Sequence, residues 1–96
     1  MADRIEVVEV SPRDGLQNEA VLLSTSDKLE LIERAVAAGL RRVETTSFVN
    51  PCKVPQMADA DEVSRQSGRF RDASFSVLAL NLRGVARAIA AGTREI

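Results

Sequence analysis

Four charged residues have the types and spacing to do chemistry: Glu9, Arg13, Asp14 and Glu44. Glu9 interrupts the β-rich run IEVVEV (5–10) near its C-terminal end, and Glu44 interrupts RRVETTSF (41–48) at the equivalent depth. Arg13 and Asp14 follow the first run in the segment SPRDGLQN (11–18). A loop Asp is a hard oxygen donor that suits Mg²⁺ or Mn²⁺. An Arg offers a planar fork to a carboxylate or to a developing enolate. A strand carboxylate between two covered faces is costly unless it is paired or functional. The competing reading is structural: an ion pair such as Glu9 with Arg13, and ordinary turn chemistry at Asp14-Gly15.

The elements that must position these residues follow from periodicity. Residues 5–10 read as a strand, and 11–18, with Pro12 and Gly15, as a loop. Leu29, Ile32 and Val36, with Ala35 beside them, carry helical spacing. Ser24 or Thr25 suits the N-cap of that helix, and Asp27 its positive end. Glu30 and Arg34 form an i,i+4 pair, and Gly39 suits the terminating position. Residues 41–48 read as a second strand and NPCKVP (50–55) as a loop. A short helix follows over roughly 57–66, broken by Ser67-Gly68. Residues 73–80 read as a third strand. Leu82, Val85, Ala86 and Ile89 repeat the helical spacing, closed by Gly92, and 94–96 begin something strand-like.

The chain echoes itself: AVAAGLRRV (35–43) returns as AIAAGTREI (88–96). Gly39 and Gly92 lie 53 residues apart, so each strand–helix unit takes about 26 residues. That is close to the ~31 residues per unit of an eightfold (β/α) barrel. Alternating strands and helices predict a parallel sheet. A doubly wound sheet would carry a glycine-rich cradle in its first loop. SPRDGLQN has one Gly, so the barrel is favoured. The expected fold class is therefore α/β: the N-terminal portion of a TIM (β/α)₈ barrel, about three βα units plus the start of strand four, as one partial domain over 1–96.

Composition narrows the function classes. Thirteen Lys+Arg against fourteen Asp+Glu leave a formal charge of -1, which predicts neither nucleic acid nor anionic lipid as partner. The three Phe, with no Trp or Tyr, offer no platform for stacking bases. One Cys and no His exclude a disulfide framework and a Cys/His zinc centre. No run approaches a membrane span, and Met-Ala-Asp-Arg opens no signal-peptide pattern, so a cytoplasmic location is expected.

VEVSPRDGLQNE (8–19), VETTSFVNPCKVPQMADADEV (43–63) and NLRGVARAIAAG (81–92) together resemble 3-hydroxy-3-methylglutaryl-CoA lyases. These belong to a group of metal-dependent lyase and synthase barrels that share an Arg-Asp-Gly start. Synthases of the group read RDGEQ, so Leu16 favours the lyase branch over an isopropylmalate-type condensing enzyme.

The resemblance implies a retro-Claisen cleavage of an acyl-CoA substrate, 3-hydroxy-3-methylglutaryl-CoA, to acetoacetate and acetyl-CoA. It implies Asp14 as a ligand of a divalent cation, Mg²⁺ or Mn²⁺. It implies Arg13 as stabiliser of the enolate, and Glu44 as a strand-two group near the cation. Gln17 would orient substrate. Ser47 and Asn50 would lie on the second strand-to-helix loop at the substrate rim, and Asn81 would end strand three; plain loop or cap hydrogen bonding competes for these three.

The family completes its cation shell with two His and an Asn from later strands, and uses a Cys in a glycine-rich loop. None of these has a counterpart here, and Cys52 is a bystander on the 50–55 loop. The isolated chain is therefore expected to be inactive. The alternative is a non-catalytic fragment that docks onto another barrel portion. Full-length relatives are expected to be homodimers. Arg65, Arg69 and Arg71 could reach CoA phosphates, though a solvated helix end is the plainer role.

Overall fold

A computed structural model describes residues 5–96. It contains β1 (Val8–Glu9), α1 (Thr25–Ala37), β2 (Arg42–Phe48), α2 (Ala60–Ser67), β3 (Ser74–Ala79) and α3 (Leu82–Ala90). A π turn (Ser11–Gly15) follows β1, and a 3-10 turn (Pro55–Met57) precedes α2. The three strands form one parallel sheet in the order β1-β2-β3. Strand and helix alternate throughout, as the periodicity predicts.

Four details differ from the sequence reading. The first strand is two residues long, not six, because it pairs only through Val8 with Arg42 and Glu9 with Val43. The segment after it is not an open loop. The N–H groups of Arg13, Asp14 and Gly15 all converge on the carbonyl of Val10, at 3.1, 2.7 and 3.3 Å. Pro12 has no N–H to contribute, and one acceptor thus winds the segment into the π turn. The stretch expected as one helix over 57–66 divides into the 3-10 turn and α2. Residues 94–96 form no strand, but the Glu95 carbonyl accepts the Val77 N–H at 3.1 Å, on the free edge of β3.

Helix ends follow their capping chemistry. Ser24 rather than Thr25 caps α1, its Oγ accepting the Asp27 N–H at 3.1 Å. Asn81 caps α3 by accepting the Gly84 N–H at 2.8 Å. Glu30 and Arg34 pair at 2.8 Å on the exposed side of α1. After α1 and α3 the chain reverses through Gly39 (φ 101°) and Gly92 (φ 83°), a left-handed conformation that a Cβ disfavours.

The strand register sorts side chains onto two faces. Phe75 packs with Leu29, Ile32 and Val63, and Val77 with Phe48, Ala60, Ala88 and Ala91. The face carrying Phe75, Val77 and Ala79 is therefore helix-covered, and their register partners Val43, Thr46 and Phe48 share it. The opposite face carries Ser74, Ser76 and Leu78, opposite Arg42, Glu44 and Ser47. A β-bulge between Glu44 and Thr46 makes Thr45 the extra residue. Strict alternation would separate Glu44 from Ser47. The bulge returns both to the open face.

Candidate active site

The π turn lies against the open face of β2 at the C-terminal end of the strands. This is where barrel chemistry resides. Two segments supply the cluster. The turn brings Arg13, Asp14 and, just beyond it, Gln17; β2 brings Glu44 and Ser47.

Arg13 is the centre. Its Nε donates to a Glu44 carboxylate oxygen, and its Nη1 lies 3.5 Å from Asp14 Oδ1. Arg13 and Glu44 side chains are each 20% exposed, whereas Asp14 is 55% exposed. The partly desolvated Glu44 pair fixes the guanidinium, while the Asp14 carboxylate faces outward. Asp14 is steadied by Asn18, whose Nδ2 donates to its backbone carbonyl at 2.9 Å and to Oδ1 at 3.3 Å. Ser47 is fully buried, and its Oγ donates to Gln17 Oε1 at 3.5 Å.

Three expectations need correction. Glu9 does not join the cluster. It is in register with Val43, hence on the helix-covered side, and its carboxylate accepts the Ser11 N–H at 3.0 Å. The structural pairing of Glu9 with Arg13 is absent as well, because Arg13 faces Glu44. Ser47 lies within β2 rather than on the loop after it.

Asn50 does lie on that loop. It is exposed, and its Oδ1 accepts the Cys52 N–H at 2.9 Å, an Asx turn rather than a contact with the cluster. Cys52 is a free, exposed thiol. Arg65 pairs with Glu62 at 2.8 Å, Arg69 stacks over Phe70, and Arg71 sits just ahead of β3. All three lie at the end of the sheet opposite Asp14, because α2 runs back from the C-terminal ends of the strands. Two surface clefts, of about 660 and 430 Å³, also lie away from the cluster; neither is lined by Arg13, Asp14 or Glu44.

Asp14 fits one position in the shell of a hard divalent cation, being an outward-facing carboxylate of the right donor class. Glu44 is engaged by Arg13. Among the described residues no three His, Cys, Asp or Glu side chains gather to hold a metal ion. The residues present thus fit part of a shell.

Sequence reasoning missed one polar network near the cluster. Lys28 is only 4% exposed, and its ammonium meets Asp59 and the carbonyl of Gln56. The signal was available. Lys28 stands four residues before Ile32, on the apolar stripe of α1.

The HMGL-like family model matches residues 4–96. The chain belongs to the HMGL-like family. It is 48% identical over 93 residues to the mitochondrial hydroxymethylglutaryl-CoA lyase of Homo sapiens, a match covering 97% of this chain and 29% of that protein. The hydroxymethylglutaryl-CoA lyase structure from Pseudomonas aeruginosa aligns with a TM-score of 0.84 at 41% identity, covering 94% of this chain and 30% of that one. The Acinetobacter baumannii HMG-CoA lyase, solved with coenzyme A and 3-methylmalate, aligns at 0.85 and 40% identity, covering 92% and 29%. This HMGL-like chain therefore spans about three-tenths of these relatives and matches the N-terminal part of their barrels.

Proposed function

We propose that the chain supplies part of the active site of a hydroxymethylglutaryl-CoA lyase. The reaction is cleavage of 3-hydroxy-3-methylglutaryl-CoA to acetoacetate and acetyl-CoA, with Mg²⁺ or Mn²⁺ as cofactor. The observation that carries this reading is the Arg13 guanidinium, fixed by Glu44 beside the outward Asp14 carboxylate. The names of the relatives support it, as does coenzyme A in the A. baumannii structure.

In this reaction a base takes the proton of the tertiary hydroxyl. The carbon–carbon bond breaks and acetoacetate leaves. The bonding electron pair enters the acyl-CoA fragment as an enolate, which then takes a proton at carbon. Negative charge grows on the thioester oxygen only as the bond breaks. A cation held in advance at that oxygen stabilises the transition state more than the ground state. Arg13 is that group, and Glu44 holds it in place. Gln17, braced by Ser47, orients substrate from the same turn. Asp14 would hold one position of the divalent cation, which when bound would supply charge that lowers the hydroxyl pKa.

The test is a chimera in which residues 4–96 replace the matching segment of the P. aeruginosa lyase. Cleavage to acetoacetate is expected, and Asp14→Ala is expected to abolish it. The isolated 96-residue chain is expected to show no turnover, since Asp14 is one donor of several. A folded, Mn²⁺-binding chimera that makes no acetoacetate, or that forms a condensation product, overturns the reading.

A further inference from the structure

We propose that Lys28 is a positioning residue for the Arg13–Gln17 turn, acting through Gln56; the inference rests on the reading of that turn as active-site machinery. The ammonium of Lys28 is removed from water beneath the loop joining β2 to α2. It donates to the Gln56 carbonyl and to Asp59 Oδ1. Asp59 Oδ2 accepts the Thr25 hydroxyl at 2.6 Å, which ties the loop a second time to α1. Gln56 then reaches the other way, its Nε2 donating to the Glu19 carbonyl at 2.7 Å. Glu19 follows directly on the segment that carries Arg13, Asp14 and Gln17, and its N–H bonds back to the Leu16 carbonyl at 3.2 Å. A continuous path of hydrogen bonds thus runs from a buried charge on α1, through one glutamine, to the end of the catalytic turn.

The chemistry favours positioning over stabilisation. A buried ion pair is a weak source of stability, because desolvation offsets attraction, but it enforces one geometry. Residues 18–24 lie in neither helix nor strand. The Gln56 side chain ties that stretch to the loop, and Lys28 in turn holds the Gln56 carbonyl.

The test uses the chain itself. Lys28→Met with Asp59→Leu removes both charges and leaves neither alone. Cys52 is the sole cysteine and is exposed on the same loop, so a nitroxide attached there reads loop motion. The expected result is an unchanged melting temperature, a narrowed nitroxide spectrum, and about tenfold faster hydrogen exchange at the Asp14, Gly15 and Glu19 amides. Local loosening at unchanged melting is a signature that a merely stabilising pair lacks. A folded double variant whose turn amides keep their exchange rates overturns the proposal, whatever the nitroxide shows. If the double variant does not fold, Gln56→Ala decides. Faster exchange at Glu19 and Asp14 with an unaltered Cys52 spectrum supports the proposal, and unaltered exchange overturns it. Neither readout involves a cation or an acyl-CoA, so this proposal can fail while the cleavage assay succeeds, and the reverse.

Discussion

At the residue scale, the role proposed for Arg13 rests on its being a fork. One edge meets Glu44, which leaves further N–H donors that, in the proposed reaction, would face the oxygen that gains charge. Lysine would keep the charge and lose this division of labour. In the chimeric lyase, Arg13→Lys is expected to lower kcat by roughly 10²–10³ with little change in KM, as for loss of one preorganised donor. Steady-state kinetics check it. Gly84 matters for a different reason. A Cβ there would stand 2.5 Å from the Phe48 carbonyl oxygen, which belongs to backbone and cannot swing away. Gly84→Ala is expected to cost about 1–3 kcal/mol in urea unfolding, through overpacking at the end of β2. Arg13, Asp14 and Glu44 were all legible in the sequence, because charged residues are conspicuous at the end of a β-rich run. Glu9 misled for the same reason. Position along a strand does not say which face a side chain takes.

At the scale of elements, the internal echo is a repeated helix exit. After α1 the Leu40 N–H bonds the Ala35 carbonyl at 3.2 Å and the Gly39 N–H bonds Val36 at 3.0 Å. After α3 the Thr93 N–H bonds Ala88 and the Gly92 N–H bonds Ile89, each at 3.0 Å. Both are Schellman exits, and each leads toward the next strand position. Equal geometry predicts equal cost. Gly39→Ala and Gly92→Ala are each expected to destabilise by about 1–2 kcal/mol, the penalty of a left-handed alanine. Neither glycine has an atom within 4 Å of a built Cβ, so the cost is conformational and not steric. Chemical denaturation of the two variants checks the match. The helices and their caps were readable because local bonds make them. The π turn was not, since it needs three N–H groups to find one carbonyl.

At the scale of the molecule, helices cover the sheet on one face only, and the π turn covers part of the other. Helices bury Phe48, Val43 and Val77 on one side, while Arg42, Glu44, Ser74 and Leu78 line the other. The edge at β1 is apolar and open, with Ile5 91% and Val7 63% exposed. An unpaired apolar edge is a template for association. The isolated chain is expected to self-associate as its concentration rises, and Val7→Lys to suppress this, by sedimentation velocity. Its charge balance will not prevent contact, since the formal net charge is only -1. No helix of the described residues is long and apolar enough to cross a membrane.

By itself the sequence determined the alternation of strands and helices, the two glycine exits and the charged residues of the turn. These rest on periodicity, local bonding and residue chemistry, all of which act over a few positions. Only tertiary structure decided which side chains meet. The bulge at Thr45 sets Glu44 and Ser47 on one face, against simple alternation, and register sends Glu9 to the other. Lys28 lies beneath the loop that begins after Phe48, in a separate strand–helix unit. Such choices depend on pairings between distant segments, whose cost and reward no local pattern records.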